Sequence, residues 1–136
     1  MKALKLIFVL AAVVFMNSSC TNQVKEEGES TIVSQSDKVE VYYFHFSRRC
    51  ATCNAVESVS KEAVTEYYGD KVKFVGVNLD EEAGEALGKA LEVSGQTLLI
   101  VDGETKIDIT SEGFMNARSN PDTLKAVIKE KIDPLL

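Results

Sequence analysis

Residues 39–53 read VEVYYFHFSRRCATC, and the fold turns on them. The run at 39–46 is dense in β-branched and aromatic side chains, which suit a pleated, packed surface. It reads as a strand whose second half is buried on both faces. Ser47-Arg48-Arg49 interrupts the apolar run. Beyond it Val56, Val59, Ala63, Val64 and Tyr67 recur at helical spacing, so a helix is predicted from Cys50 to Tyr68. Gly69 stands where a helix-ending glycine belongs.

Working outward, residues 72–79 form a second apolar strand, and Asp80 is the expected cap of a helix running to Leu91. Gly84 and Gly88 weaken that helix. A third strand is expected over 97–101, a hairpin turn at Asp102-Gly103 and a return strand over 106–110. A loop then carries Phe114, Met115, Asn116 and Arg118. The last helix opens at Ser119-Asn120-Pro121, with Asn120 as cap and Pro121 in the first position. Leu124, Val127, Ile128 and Ile132 line its apolar face, and Asp133-Pro134 ends it. A crossover between apolar strands calls for a parallel pair, and the hairpin adds antiparallel strands. The expected fold class is α/β in three layers around a mixed four-stranded sheet, in the order strand, helix, strand, helix, hairpin, helix.

The chain has 136 residues and a formal charge of −6, which suits one domain and disfavours a nucleic-acid partner. Lys2 and Lys5 precede an apolar run at 6–15 that is short for a permanent membrane span. Asn17-Ser18-Ser19-Cys20 follows and resembles a bacterial lipoprotein signal, in which the cysteine is acylated. The alternative is an ordinary cleaved signal that leaves Cys20 as an odd thiol. The expected organisation is a signal peptide at 1–19, a flexible polar tether at 20–38 and one domain at 39–136. Lipid on Cys20 would hold the protein on a membrane facing the periplasm or cell exterior.

Cys50 and Cys53 are spaced to close a small disulfide at the first turn of a helix. Unsatisfied N–H groups and the helix dipole favour thiolate there, and Arg48 and Arg49 add positive charge. Such settings lower a thiol pKa from about 8.5 into a range of roughly 3.5–7.5. The thiolate is the attacking species in disulfide exchange. Cys50, nearest the helix start, is the expected nucleophile, and Cys53 the thiol that resolves a mixed disulfide.

A strand running into Cys-x-x-Cys at a helix start, then strand, helix, hairpin and helix, resembles thioredoxin. The resemblance covers residues 39–136 and lacks thioredoxin's first strand and helix. The stretches RRCATCNA (48–55), GQTLL (95–99) and MNAR (115–118) are similar to small bacterial thioredoxin-like proteins named as nitrophenyl compound nitroreductase subunits. That name does not carry nitroreduction to this chain, which has no Gly-rich fingerprint for a flavin or nicotinamide, and no cofactor is expected. Two positions depart from thioredoxin. Arg49 replaces a tryptophan, and Gln96 or Thr97 occupies the place of a cis-proline. A trans peptide is expected there, because a non-proline cis bond costs about 2.5–4 kcal/mol. The change also opens space beside the thiols.

His45, the sole histidine, is read as a structural strand residue, with a proton-accepting or metal-binding role as the alternative. By the resemblance, Arg118 borders the disulfide; with Arg48 and Arg49 it would meet an anionic partner or serve as ordinary surface charge. Three functions follow. The first is a monomeric thiol–disulfide oxidoreductase exchanging electrons with the thiols and disulfides of a partner protein. The second is a module binding a soft metal or metalloid (Cu, Zn, As) through both thiolates, with His45 as the easy third ligand. The third is an accessory subunit of a reductase with a structural disulfide.

Overall fold

The structure, a computed structural model, describes residues 38–136. The expected signal peptide, Cys20 and all but the end of the tether lie outside the described residues. Four strands, β1 (Glu40–His45), β2 (Lys73–Asn78), β3 (Thr97–Asp102) and β4 (Thr105–Asp108), form one sheet in the order β2-β1-β3-β4. β1 runs parallel to β2 and antiparallel to β3, which pairs with β4 as a hairpin. This is the mixed sheet expected from the crossover and the Asp102-Gly103 turn.

Pleat alternation divides the core in two. Val41 and Tyr43 of β1, with Leu98 and Ile100 of β3, face helices α1 (Ala51–Tyr68) and α4 (Pro121–Ile132). There they meet Val56, Ala63 and Val64 of α1 and Leu124, Ile128 and Ile132 of α4. Phe44, Val77 and Leu99 point the other way, toward Leu87 of α2 (Glu82–Ala90) and toward Leu91 just beyond it. Tyr43 and Phe44 are both fully buried, one on each face, as expected for the second half of β1. Gly69 ends α1 with φ 55°, a left-handed value that glycine adopts without strain. Among the described residues no helix is long and apolar enough to cross a membrane.

Three local expectations are corrected. The segment carrying Phe114, Met115 and Asn116 is not a loop but helix α3 (Thr110–Asn116). Gly113 makes it fit: a Cβ there would lie 3.2 Å from Leu98 and 3.4 Å from Val56. Asp80 does not cap α2; Glu81 holds the cap position without a side-chain hydrogen bond. The Asp80 carboxylate instead accepts from the Ser47 amide at 2.7 Å. Asn120 occupies the cap position of α4, but through its backbone: its carbonyl accepts from Thr123 at 3.0 Å and its side chain makes no cap bond. The last helix ends at Ile132, as expected from Asp133-Pro134, and a 3-10 turn follows over Asp133–Leu135.

Gly84 and Gly88 weaken α2 in isolation, yet tertiary contact requires both. A Cβ on Gly84 would fall 1.9 Å from the Asn78 carbonyl oxygen, and one on Gly88 2.9 Å from Leu79. The helix thus lies directly on the end of β2.

Candidate functional site

The carboxyl end of β1 delivers the chain through Ser47-Arg48-Arg49 to the start of α1. Two long-range bonds pin that connection: Ser47 N–H to Asp80, and Asn78 Nδ2 to Ser47 Oγ at 3.1 Å. The Ser47 amide holds the Asp80 carboxyl below its ordinary range.

Cys50 is the N-cap of α1, in extended conformation. Its sulfur accepts a hydrogen bond from the Cys53 amide at 3.2 Å, the place a serine or aspartate oxygen takes at other helix starts. Cys50 is exposed, Cys53 is 3% exposed, and the two are joined as a disulfide with Cα atoms 5.1 Å apart. Cys53 also touches Gln96, the residue just before β3: Nε2 and Oε1 of its carboxamide lie 3.6 and 3.7 Å from Cys53 Sγ. Thr97 bonds locally, its hydroxyl donating to the Gly95 carbonyl at 3.1 Å. Every peptide bond among the described residues is trans, as expected for the Gln96-Thr97 junction.

Arg48 is exposed and has no hydrogen bond or ion pair among the described residues. Arg49 folds back: its guanidinium donates to Glu57 and lies 6.0 Å over the Tyr43 ring. Glu57 reaches this position because β2 carries Gly76 opposite it, where a Cβ would come 2.6 Å from Glu57 Oε1. That same point lies 3.9 Å from His45 Nε2, so His45, Glu57 and Arg49 gather on the α1 side of the sheet. The other ring nitrogen of His45, Nδ1, lies 3.1 Å from the Phe46 carbonyl. Burial pushes the Tyr43 phenol up, against the opposing pull of Arg49. Arg118 is exposed just past α3. Among the described residues no three His, Cys, Asp or Glu side chains gather as a metal site.

Glu57 was not legible from the sequence, although it sits four residues after Cys53, one turn further along α1. The small residue at Gly76 was the only other trace of it.

A scan against protein-family models finds no match, and neither does a search of curated proteins. Solved structures do match. Thioredoxin O2 from Arabidopsis thaliana in its oxidized state is 24% identical, with TM-score 0.51 over 69% of this chain and 75% of that one. Thioredoxin f2 from Chlamydomonas reinhardtii is 25% identical, with TM-score 0.49 over 72% and 82%. A malarial protein is 24% identical, with TM-score 0.45 over 68% and 96%. The resemblance to nitroreductase subunits receives no support from these matches. This chain has the thioredoxin-like fold, an α/β arrangement on a mixed four-stranded sheet, with a Cys-x-x-Cys disulfide at the head of its first helix.

Proposed function

We propose that the protein is an exported thiol–disulfide oxidoreductase that exchanges electrons with a partner protein through Cys50 and Cys53. One observation carries this reading: the exposed Cys50 sulfur accepts the Cys53 amide N–H at the helix start, while Cys53 lies behind it, buried. A donor fixed on that sulfur stabilises a thiolate there once the disulfide opens.

When the reduced pair meets a partner disulfide, the Cys50 thiolate attacks one partner sulfur and expels the other as thiolate. Cys53, having given its proton to solvent, then attacks the Cys50 sulfur. The mixed disulfide breaks, the partner leaves as a dithiol, and the Cys50–Cys53 disulfide forms. The reverse sequence oxidises a partner. Without Cys53, escape must await an external thiol. Cys53→Ala is therefore expected to accumulate a covalent, reductant-sensitive adduct with its partner in the native host, and Cys50→Ala to trap little. A Cys53→Ala protein that captures nothing counts heavily against exchange.

The exposure of Cys50 favours this reading over a structural disulfide in an accessory subunit. The soft-metal reading gains no third ligand among the described residues. A metal module would lose metal comparably in both cysteine variants and form no protein adduct.

We also propose that Cys20 is acylated, which would keep the domain at a membrane surface facing the periplasm or exterior. Cell fractionation of wild type and Cys20→Ala is the check. A soluble wild type that begins at another residue would end the proposal.

A further inference from the structure

The Gln96 side chain has a geometry that neither the exchange mechanism nor the fold requires. It stands half-buried before β3, with both heteroatoms of its carboxamide in reach of the buried Cys53 sulfur. Its backbone is held on the strand side by the Thr97 hydroxyl on the Gly95 carbonyl, and next by the Leu98 amide on Thr110 Oγ1 at 2.9 Å. The carboxamide is therefore presented by a fixed turn.

A carboxamide is both donor and acceptor. In the disulfide, only its N–H can serve the sulfur. In the dithiol, the Cys53 S–H can donate to Oε1. In the mixed disulfide, where Cys53 must become a thiolate to attack, Nε2–H can donate to that thiolate. One side chain thus meets the sulfur in every state of the cycle without moving its backbone.

We propose that Gln96 hydrogen-bonds Cys53 throughout the cycle and sets the rate at which Cys53 resolves the mixed disulfide. The inference rests on the exchange reading above, and its test separates the two. The reduced protein is mixed with bis(carboxynitrophenyl) disulfide, an aromatic disulfide whose thiolate is yellow. In the first phase the Cys50 thiolate breaks the aryl S–S bond and releases one aryl thiolate. In the second phase the Cys53 thiolate attacks the Cys50 sulfur and releases the other. The protein dithiol loses two electrons to the aryl disulfide, and its two protons go to solvent. The ratio of second-phase to first-phase rate is read against pH for wild type, Gln96→Ala and Gln96→Glu.

Loss of the donor leaves the thiolate less stabilised. A change of one unit in the Cys53 pKa lowers its thiolate population about tenfold below the pKa, while its intrinsic nucleophilicity rises about threefold. Gln96→Ala should therefore resolve about threefold more slowly near neutral pH and about threefold faster at pH above both thiol values. The two profiles must cross. Gln96→Glu keeps the shape but places a carboxylate on the sulfur, so its crossing should be larger. This variant decides the matter if the alanine variant does not fold. A ratio that stays at the wild-type value at every pH, or falls uniformly without crossing, overturns the role of Gln96. A wild type whose first phase is no faster than a free thiol overturns the exchange reading instead.

Discussion

At its C-terminal end, α1 is tied to the last helix by charge. Lys125 of α4 reaches both Glu62 and Glu66 of α1 at 2.9 Å. The Tyr68 hydroxyl donates to Asp133 at 2.7 Å, and Lys129 pairs with the same carboxylate at 2.6 Å. At its N-terminal end, among the described residues, no ion pair joins the same helix to another helix or strand. It begins on an exposed sulfur, and its nearest cation, Arg49, is drawn back to Glu57 on the helix itself. Under the C-terminal half, Ala63 and Val64 belong to the same buried cluster as Ile128 and Ile132. The difference teaches a division of labour along one helix. The end joined to α4 by ion pairs holds the fold, and the end that begins on an exposed cysteine is free for chemistry.

Four substitutions bear on that division, beginning with the largest expected effect. Ile128→Ala removes a fully buried side chain beneath the C-terminal half and should cost about 2–5 kcal/mol in a denaturant titration. Exchange per folded molecule should hold. A variant that stays folded yet loses exchange would break the division outright.

Glu57→Gln removes the carboxylate that occupies Arg49. Glu57 lies two turns from Cys50, about 10 Å along the helix, where a unit charge in water is worth about 0.4 kcal/mol. Alkylation of Cys50 in the reduced protein should accelerate about twofold at neutral pH, since one opposing charge is gone. Lys125→Ala, at the other end, should leave that rate unchanged. Equal responses to the two variants would erase the contrast between the ends.

The smallest effect concerns pH. The Asp80 carboxyl is held low by the Ser47 amide, so its charged form is preferred in the fold. A carboxyl lowered by folding contributes stability above its unfolded value, and that contribution fades as pH falls through the lowered folded value. Wild type should thus lose part of its stability on acidification over that window, and Asp80→Asn should lose less. Hydrogen exchange at the Ser47 amide, followed from neutral pH into acid, reads this locally. An amide equally protected in both proteins at neutral pH would show that the carboxylate does not pin the connection to Cys50.

Much of the fold was legible because it is written in short-range pattern. The aromatic and β-branched run at 39–46 became β1, and the repeat of Val56, Val59, Ala63 and Val64 became α1. Pro121 opened the last helix where its fixed φ suits a first turn. Where local signals misled, a distant partner had intervened. Asp80 looks like a helix cap until Ser47, remote in sequence, claims its carboxylate. The segment carrying Phe114, Met115 and Asn116 looks like a loop, yet Gly113 lets α3 lie against Leu98 and Val56.

The candidate site divides in the same way. The sequence by itself determined that two cysteines would share the first turn of a helix, because spacing and apolar periodicity act within a few residues. It also determined that no proline would stand before β3. Only the tertiary structure decided what meets the sulfurs and charges there: Gln96 on Cys53, and Glu57, in the space left by Gly76, on Arg49. Those contacts join residues from different elements, and a hydrogen bond depends on distances of a few tenths of an ångström that strand register and helix packing set together.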